Sequence, residues 1–580
     1  MNSWKQSLAE RWMVLSQRPS LQLLRLFAER MLHGGGELGA DDLDLGMGVV
    51  LILLAMPGVL VSLLMFEKFG SLIRFLRGDG VFDPYIATVP DEYFFIVLSM
   101  AVSCAATLWR WNSIFLDRRD YLNLVPLPIS LTRIFFANLS AIFALTALLT
   151  MVANAASFVL FPMAVMGSQG SFSKLLRFAF GHAISVSLSS AFSFLAIFAL
   201  SGTLMACLPY RIFRKVSVYV RFALALCLLA LLTTSITVSS VLSGGSQLIY
   251  LRLGGLPPAW FLGLTETLWG NGHDIFFASL TRRAITSLGL ALLVSVIAYT
   301  FSFRRSFVRI PEFADVGPLP RARRFWLPAN FLDATILRGA KLRACYHFVS
   351  RTLLRSDAHL QIVLAFAALG LVVAAQTVNA AYHSGFSLAA QPPAEELLSL
   401  PFILSYCLLV GIRLAFEVPS DLPANWIFKL WIEPDGELPR QVARRVLLTF
   451  SLGWLAPLCF LYSALLWGWL SALLQTVVLI ACSVVFVEVL LVRFRKIPFT
   501  CSYPAFQSQS TLVPVAYLIG FVAFAIYIPR IVQWSLVTQW GVAGFMPVVL
   551  LSLGGLRQFR KQMLDMDKRL VFEEDSASSF

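Results

Sequence analysis

Apolar and polar positions alternate in long blocks along the chain. Runs of roughly 20 apolar residues recur between shorter polar segments, and each run can cross a hydrocarbon layer about 30 Å thick as a helix. The runs are continuously apolar, whereas the strands of a membrane barrel alternate every second residue. The pattern predicts an all-α, polytopic membrane protein with about 12 transmembrane helices.

Twelve runs are candidate spans, and the eighth is the shortest of them. They are Leu45–Met65, Tyr93–Leu108, Ile134–Pro162, Phe178–Leu208, Val216–Val241, Ala284–Phe303, Leu360–Ala381, Leu400–Ile412, Val446–Leu466, Trp469–Val492, Leu512–Pro529 and Gly541–Leu556. The basic stretch Arg304–Asp357 separates the first six runs from the last six.

An amphipathic segment precedes each set of six spans. Gln22–Gly34 (QLLRLFAERMLHG) and Cys345–His359 (CYHFVSRTLLRSDAH) both place apolar residues at helical spacing with Arg between them, as expected of a helix in the interface plane. In each set, a long loop also joins the second and third spans. The recurrence predicts two pseudo-equivalent six-helix bundles that face each other across a pathway.

These features divide the chain into five predicted parts. They are a cytoplasmic N-terminal interfacial region (1–44), a first six-helix transmembrane domain (45–303), a cytoplasmic basic linker with an interfacial helix (304–359), a second six-helix transmembrane domain (360–556) and a cytoplasmic tail (557–580). The first part contains no compact apolar core that ends in small residues, so no cleavable signal is expected.

Basic residues are distributed unequally between the two predicted sides of the membrane. With the N-terminus inside, the inside loops hold 36 Lys and Arg residues and the outside loops hold 8. This bias predicts that both termini are cytoplasmic. Basic loops beside an anionic leaflet also explain the net charge of +14, so no nucleic-acid partner is expected. Only 13% of the residues are charged, against about 25% in soluble domains.

Few residues in the predicted spans carry chemistry. Glu488 is the one carboxylate well within a predicted span, and local pairing with Arg493 or Arg495 is favoured over proton transfer. The eight cysteines lack CxxC spacing and are interpreted as buried hydrophobes, so no metal or cofactor is expected in this chain. HExxH and GxSxG motifs are absent and no Lys follows a Gly, which excludes a phosphate loop. We expect that the chain is not an enzyme.

The two long loops combine charge with aromatic and Pro residues. The first is Arg110–Arg133, and the second contains Phe416–Gly436. In the second loop, Ser420 and Asp421 are good helix N-cap residues and an aromatic stretch follows, which predicts a short helix along the membrane surface. Exposed Trp and Arg residues are typical anchors for a protein partner. Anchoring among lipid headgroups is the alternative.

The connection between the fifth and sixth predicted spans also contains a distinctive segment. Pro257 and Pro258 interrupt this connection, and Trp260 with the apolar residues after it suits a short amphipathic or re-entrant helix at the outer interface. An ordinary exposed loop is the alternative. The corresponding connection in the second set is only Arg530–Trp540.

Four short stretches resemble the permease subunits of ABC-2 type exporters, which have the type V transporter architecture. They are DRRDYLNLVPLPIS (Asp117–Ser130), PPAWFLGL (Pro257–Leu264), VPSDLPANWIFKL (Val418–Leu430) and IPFTCSYP (Ile497–Pro504). In that family a coupling helix between the second and third spans contacts the ATPase, and re-entrant helices lie between the fifth and sixth spans. This chain departs from the usual subunit because it holds both halves, and because its second half lacks a long fifth-to-sixth connection.

The resemblance implies a permease subunit that is driven by separate ATP-binding cassette subunits. Their closure would rock one half against the other, so that an unidentified substrate moves across the bacterial cytoplasmic (inner) membrane by alternating access. The implied partners are those ATPase subunits, the lipid bilayer and the substrate. The implied coupling residues are Arg118, Arg119, Asp120, Pro126, Asp421, Asn425, Trp426 and Lys429.

Three other functions remain open. An ion-coupled secondary transporter of the major facilitator type also has six plus six spans, but its usual second-to-third loop is Gly-rich, whereas Arg110–Arg133 contains no Gly. The scarcity of buried carboxylates also argues against ion coupling. A membrane-embedded transferase acting on lipid-linked substrates needs a clustered set of Asp, Glu or His, which is not found. A scaffold without transport activity is the last alternative.

Overall fold

The computed structural model describes a large part of the chain. The described residues are 22–27, 84–109, 111, 126–166, 172–242, 254–271, 275–309, 337, 339–383, 393–418, 420, 437–492, 494, 496–500, 517, 519–537 and 541–566. Every regular element within these ranges is helical.

The helices are numbered in chain order from the first long one. The first six are α1 (Pro84–Trp109), α2 (Leu131–Met166), α3 (Phe172–Cys207), α4 (Tyr210–Leu242), α5 (Pro257–Glu266) and α6 (Ile275–Arg309). The others are α7 (Ala340–Arg355), α8 (Asp357–His383), α9 (Glu395–Ala415), α10 (Glu437–Trp467), α11 (Trp469–Leu490), α12 (Ile528–Val537) and α13 (Gly541–Met566). A π-helical turn, Thr267–Asn271, follows α5, and another, Ala523–Tyr527, precedes α12.

Nine helices within the described ranges are long and apolar enough to cross a membrane. They are α1 to α4, α6 and α8 to α11, and each overlaps a predicted span. The chain is thus an all-helical protein with the helix lengths and composition of a multi-pass membrane protein. That coarse prediction is confirmed, whereas the arrangement of twelve helices in two related bundles stays a prediction.

Three of the predicted spans are not among these nine. Leu45–Met65 lies outside the described residues. The eleventh corresponds to a shorter apolar helix, Ile519–Ser535, which includes a π-helical turn and Pro529. The twelfth corresponds to α13, whose apolar part ends before Arg557 and Arg560.

Several predicted spans are shorter than the helices that contain them. The second span is predicted to start at Tyr93, but α1 begins at Pro84 and its apolar part begins at Thr88, so Asp91 and Glu92 lie inside the helix. Hydropathy ends a predicted span at the first charge, whereas a helix continues because its backbone groups stay hydrogen-bonded. The eighth span, predicted to be the shortest, is the 21-residue α9.

The second amphipathic segment, Cys345–His359, is not one helix. α7 ends at Arg355, Ser356 has an extended backbone (φ −80°, ψ 120°) and α8 begins at Asp357. An acidic residue in the first turn suits the positive end of the helix dipole of α8. The segment therefore contains both an amphipathic helix and the start of a membrane span. In the first amphipathic segment, residues 22–27 are helical, and Leu23 and Phe27 are buried one turn apart.

The chain divides into two compact units between Gly317 and Pro318, except that Phe222–Leu226 group with the second unit. Unit 1 contains α1 to α3, α5, α6 and most of α4, and unit 2 contains α7 to α13.

In unit 1, buried polar side chains join the long helices. Ser99 of α1 and Ser190 of α3 share a hydrogen bond between their hydroxyl oxygens (2.5 Å), and Nδ2 of Asn154 on α2 donates to Ser99 Oγ (2.9 Å). Ser103 donates to the carbonyl oxygen of Ser190 (2.8 Å). Such hydrogen bonds hold helices together where surrounding lipid removes the hydrophobic attraction between them.

The short helix α5 packs against α1, α3 and α6 within unit 1. It begins with two prolines after an extended Leu256, as their fixed φ favours, and nearly all of its side chains are buried. Trp260 Nε1 and Arg283 Nη1 both donate to the carbonyl oxygen of Gly254, each at 2.9 Å. The segment predicted as either a helix or an exposed loop is therefore a buried helix.

Unit 2 packs around α9. Tyr406 of α9 stacks on Phe486 of α11 with ring centroids 4.6 Å apart, and its hydroxyl donates to the carbonyl oxygen of Tyr517 (2.5 Å). α8 and α9 approach closely at Gly411, where an added Cβ would lie 2.7 Å from the Cβ of Phe366. Gly468 has a φ of +89° and so permits the short reversal between α10 and α11.

Gly263→Ala is expected to destabilise unit 1. A Cβ at this position of α5 would lie 2.4 Å from Leu280 Cβ and 2.9 Å from the carbonyl oxygen of Phe277 on α6, and the backbone of α6 cannot move aside locally. Overpacking of this kind costs about 1–3 kcal/mol. Thermal unfolding of the purified protein in detergent should show a lower Tm. The matched control is Gly289→Ala on α6, where an added Cβ meets nothing within 4 Å; an equal loss of stability in both variants would contradict this packing.

Candidate functional site

One end of unit 2 brings together the ends of five helices. They are the starts of α8 and α10 and the ends of α9, α11 and α13. The described parts of two segments singled out in the sequence, Val418–Leu430 and Ile497–Pro504, also lie here. We call residues 416–418, 420 and 496–500, together with His359, the loop anchor.

Two backbone hydrogen bonds connect the two segments of the loop anchor. The amide of Phe499 donates to the carbonyl oxygen of Phe416 (3.4 Å), and the amide of Ser420 donates to the carbonyl oxygen of Phe499 (3.0 Å). The start of the predicted second docking loop is thus bound to the chain that follows α11.

His359, in the first turn of α8, attaches a third element to the loop anchor. Its Nε2 lies 2.8 Å from the carbonyl oxygen of Val418, and its Nδ1 lies 2.5 Å from the hydroxyl of Ser356. Because a carbonyl oxygen only accepts, Nε2 carries the proton, and a neutral ring then accepts from Ser356 at Nδ1. The ring also meets Phe499 edge to face at 4.3 Å. α8 is therefore tied to the loop that follows α9.

Phe499 has a strained backbone. Its φ of 71° is the only positive value at a non-glycine residue within the described ranges, and the side chain is buried. A bulky residue takes this conformation only where its surroundings hold it there. The edge-to-face contact with Phe416 (5.6 Å) and the two backbone hydrogen bonds supply that restraint. The loop anchor is accordingly a rigid junction.

A largely buried charge network connects the loop anchor to the ends of two helices. Glu417 forms ion pairs with Arg413 at the end of α9 and with Lys496. Arg413 also donates from Nε to the carbonyl oxygen of Leu490 on α11 (3.2 Å), and its guanidinium lies 4.9 Å from the ring centroid of Phe494. These contacts connect the ends of α9 and α11.

A second network joins α10 to α11. Glu488 is buried and forms ion pairs with Arg440 and with Arg444, whose Nε is 3.0 Å from Oε1. Both partners come from α10, so this pairing joins two helices. The predicted local pairing with Arg493 or Arg495 stays a prediction, because both residues lie outside the described residues. Arg440 and Arg444 are four residues apart, so one face of α10 presents both to Glu488.

Unit 1 contains a different kind of buried charge. Glu92 of α1 is fully buried, and neither of its carboxylate oxygens has a hydrogen-bond partner among the described residues. Its charged neighbours among the described residues include Glu266 and Asp91; Glu266 is the last residue of α5 and is also fully buried. The expectation that Glu488 is the one carboxylate well within a span is therefore wrong, because Glu92 lies within Thr88–Leu108.

His182 of α3 is another buried titratable group in unit 1. Its ring nitrogens make no hydrogen bond within the described residues, and the side chain is fully buried. Phe95, Phe161 and Phe178 surround it with ring centroids 5.1 to 6.4 Å away. No group of three or more His, Cys, Asp or Glu suited to a metal ion occurs in the described ranges.

Most residues predicted to couple to an ATPase cannot be placed. Pro126 is described and exposed, just before α2. The other predicted coupling residues lie outside the described residues; they are Arg118, Arg119, Asp120, Asp421, Asn425, Trp426 and Lys429. The structure shows the base of the second loop but not its tip.

The predicted outer segment is fully placed. Pro257 and Pro258 start α5, and Trp260 fixes its first turn through the hydrogen bond to Gly254. The sequence analysis missed Glu92, Glu266 and the loop anchor. The sequence does contain a signal for Glu92. A helix often continues past the carboxylate that borders its apolar run, so the position of Glu92 directly before the predicted span indicates that it can lie within the helix.

No protein-family model matches the chain, and no match to it was found among the curated proteins or the solved structures.

Glu488→Gln is expected to destabilise unit 2. The substitution leaves the buried guanidinium of Arg440 without its countercharge, and breaking one side of a buried ion pair costs about 3 kcal/mol or more. A fall in Tm should be measured in detergent. The double variant Arg440→Met/Glu488→Leu should recover part of it, because the buried cation is removed together with its countercharge and only the more exposed Arg444 loses its partner. The control is Glu395→Gln, whose pair with Arg530 is exposed and whose loss should not change the Tm. A Tm for Glu488→Gln equal to that of the control would contradict the network.

Proposed function

We propose that the chain is the membrane-spanning permease of a transporter driven by separate ATP-binding cassette subunits, as its resemblance to ABC-2 type exporters implies. The loop anchor is the observation that carries this proposal. A loop that only connects two spans needs no rigid base, whereas a loop that receives force from a partner does.

The contacts at the loop anchor suggest how such force would be transmitted. A displacement of the second loop would be passed to α8 through His359, to α9 through Glu417, and to the end of α11 through Phe499 and Arg413. Because the junction is strained and buried, a pull on the loop moves helix ends before it bends the loop. The predicted coupling residues beyond Ser420 would make the contact with the ATPase.

This mechanism requires alternating access between two conformations, with ATP binding and hydrolysis in the partner subunits. The permease itself supplies no bond chemistry. Substrate identity is left open, since the pathway-lining residues are not assigned.

Charge reversal in the first loop is expected to abolish permease-dependent ATP hydrolysis. Arg118→Glu/Arg119→Glu would repel the partner surface that the native charges attract. ATP hydrolysis should be measured in the complex purified through the permease and reconstituted in lipid. Lys174→Glu/Arg282→Glu is the matched control, because it makes the same charge change at exposed residues that are predicted to lie outside. Full activity in the first variant, or equal loss in both, would count against docking.

Phe499→Ala tests the loop anchor in the same preparation. The variant keeps both loops but removes the ring contacts with His359 and Phe416. ATP hydrolysis should persist, while substrate movement per ATP falls because force is lost at the loosened junction. Unchanged transport efficiency would contradict the proposed route of force.

A second candidate function is ion-coupled transport, and the buried carboxylates of unit 1 favour it. A carboxylate without a hydrogen-bond partner is costly in an apolar interior, and Glu92 has none among the described residues. We therefore expect it to hold a proton or a bound cation. A group that gains and loses charge in this way can couple ion movement to a change of conformation.

Glu92→Gln is expected to abolish proton movement if ion coupling operates. Gln has nearly the same shape but cannot exchange the proton. Proton uptake should be followed with an internal pH-sensitive dye in proteoliposomes, with and without a protonophore. Glu396→Gln, a partly exposed carboxylate of unit 2, is the control. Proton uptake that equals the native rate in Glu92→Gln, or that is absent from the native protein, would remove this function.

A further inference from the structure

α7 carries a basic groove along the face that is not packed into unit 2. Its opposite face is apolar and buried through Leu342, Tyr346, Val349 and Leu353, and the Tyr346 hydroxyl lies 2.9 Å from Thr449 Oγ1 of α10. The groove has a volume of about 720 Å³. Its lining includes His347, Phe348, Arg351, Thr352, Arg355 and Ser356.

We propose that this groove binds the headgroup of an anionic phospholipid. Arg351 and Arg355 are exposed and one turn apart, so their guanidinium groups can reach the same phosphate. No ion pair joins either guanidinium to another described residue, and the described residues that line the groove include no carboxylate. Thr352 places a hydroxyl donor on the same face, whereas the hydroxyl of Ser356 already donates to His359. The charge and the donors thus match a phosphodiester.

The position of the groove favours a lipid over a soluble anion. Only Ser356 separates α7 from α8, which begins the span Asp357–Tyr382. The last turn of α7, with Arg355, therefore lies where a membrane span starts, and headgroups are concentrated at that level. Phe348 gives the groove an apolar wall, and Leu354 beside it is 40% exposed. A lipid can contact both the basic and the apolar part of the groove. Its phosphate would bind the two arginines, and its glycerol and first acyl carbons would pack against the apolar residues.

The size of the groove agrees with a headgroup. Sites for small molecules usually measure about 300–1,000 Å³, so this groove holds a headgroup while the acyl chains remain in the bilayer. Bound lipid would hold α7 against the membrane surface, and α7 in turn contacts α10 and α8. The predicted cytoplasmic location places the groove beside the leaflet that carries anionic lipid.

The test measures binding of spin-labelled phosphatidylglycerol and of spin-labelled phosphatidylcholine to the full-length protein in detergent micelles. Phosphatidylglycerol should bind more tightly. Arg351→Gln/Arg355→Gln should weaken its binding by about tenfold or more, because two charge-assisted contacts are lost. Lys341→Gln/Arg343→Gln removes the same charge from exposed residues of α7 outside the groove and should change the affinity by less than about twofold. Arg351→Lys/Arg355→Lys should retain part of the binding, which shows that the helix is intact.

Several results would overturn the proposal. Equal binding of the two lipids, or equal weakening by the two Gln double variants, would mean that only general surface charge attracts lipid. Displacement of the labelled lipid by millimolar inorganic phosphate would identify a soluble-anion site instead. Loss of a co-purified protein partner in Arg351→Gln/Arg355→Gln, with lipid binding unchanged, would show that an acidic protein surface occupies the groove.

Discussion

Charge buried away from water must find its partner within the protein, and this constraint governs both units. In unit 2, Glu488 and Glu417 each form ion pairs with two cationic side chains. Both partners of Glu488 lie on α10, whereas Glu417 pairs with Arg413 of α9 and with Lys496 after α11. Each network therefore fixes the relative positions of helix ends. Replacing a buried ion pair by apolar residues can leave stability unchanged. The main effect of these ion pairs is therefore to determine which helices pack together.

The same constraint makes unit 1 distinctive. Glu92 and Glu266 are buried near each other and carry the same formal charge, so their proximity is unfavourable when both are ionised. α5 is also held by apolar contacts and by the hydrogen bonds of Trp260 and Arg283 to Gly254. In contrast to Glu488 and Glu417, Glu92 forms no hydrogen bond with a described residue.

Local sequence patterns predict the spans because helical hydropathy depends on neighbouring residues. They fail where a helix continues past its first charge, as α1 does at Asp91 and Glu92. They do not reveal distant contacts, such as the pairing of Glu488 with Arg440 and Arg444 on the preceding helix. The sequence motifs identified the segments Val418–Leu430 and Ile497–Pro504, but they did not predict that the two segments are hydrogen-bonded to each other.

The loop anchor depends on long-range contacts that no local pattern contains. His359 meets Val418, and Phe416 meets Phe499, across large separations in the chain, and the positive φ of Phe499 is stable only after those contacts form. Sequence analysis can recognise residue types suited to docking, whereas rigidity arises from the folded junction.

The proposed ATP-driven and ion-coupled functions use different parts of the molecule. The loop anchor and its ion pairs are fully partnered, and a junction of this kind transmits displacement without changing its own charge. Glu92 has the opposite property, because the absence of a hydrogen-bond partner within the described residues leaves its charge state as the variable that can change. Unit 2 is thus suited to receive a mechanical input, and unit 1 is suited to respond to an ion. A transporter could contain both the loop anchor and an ion-binding carboxylate without contact between them. Each requires only that the helices around it have two stable arrangements.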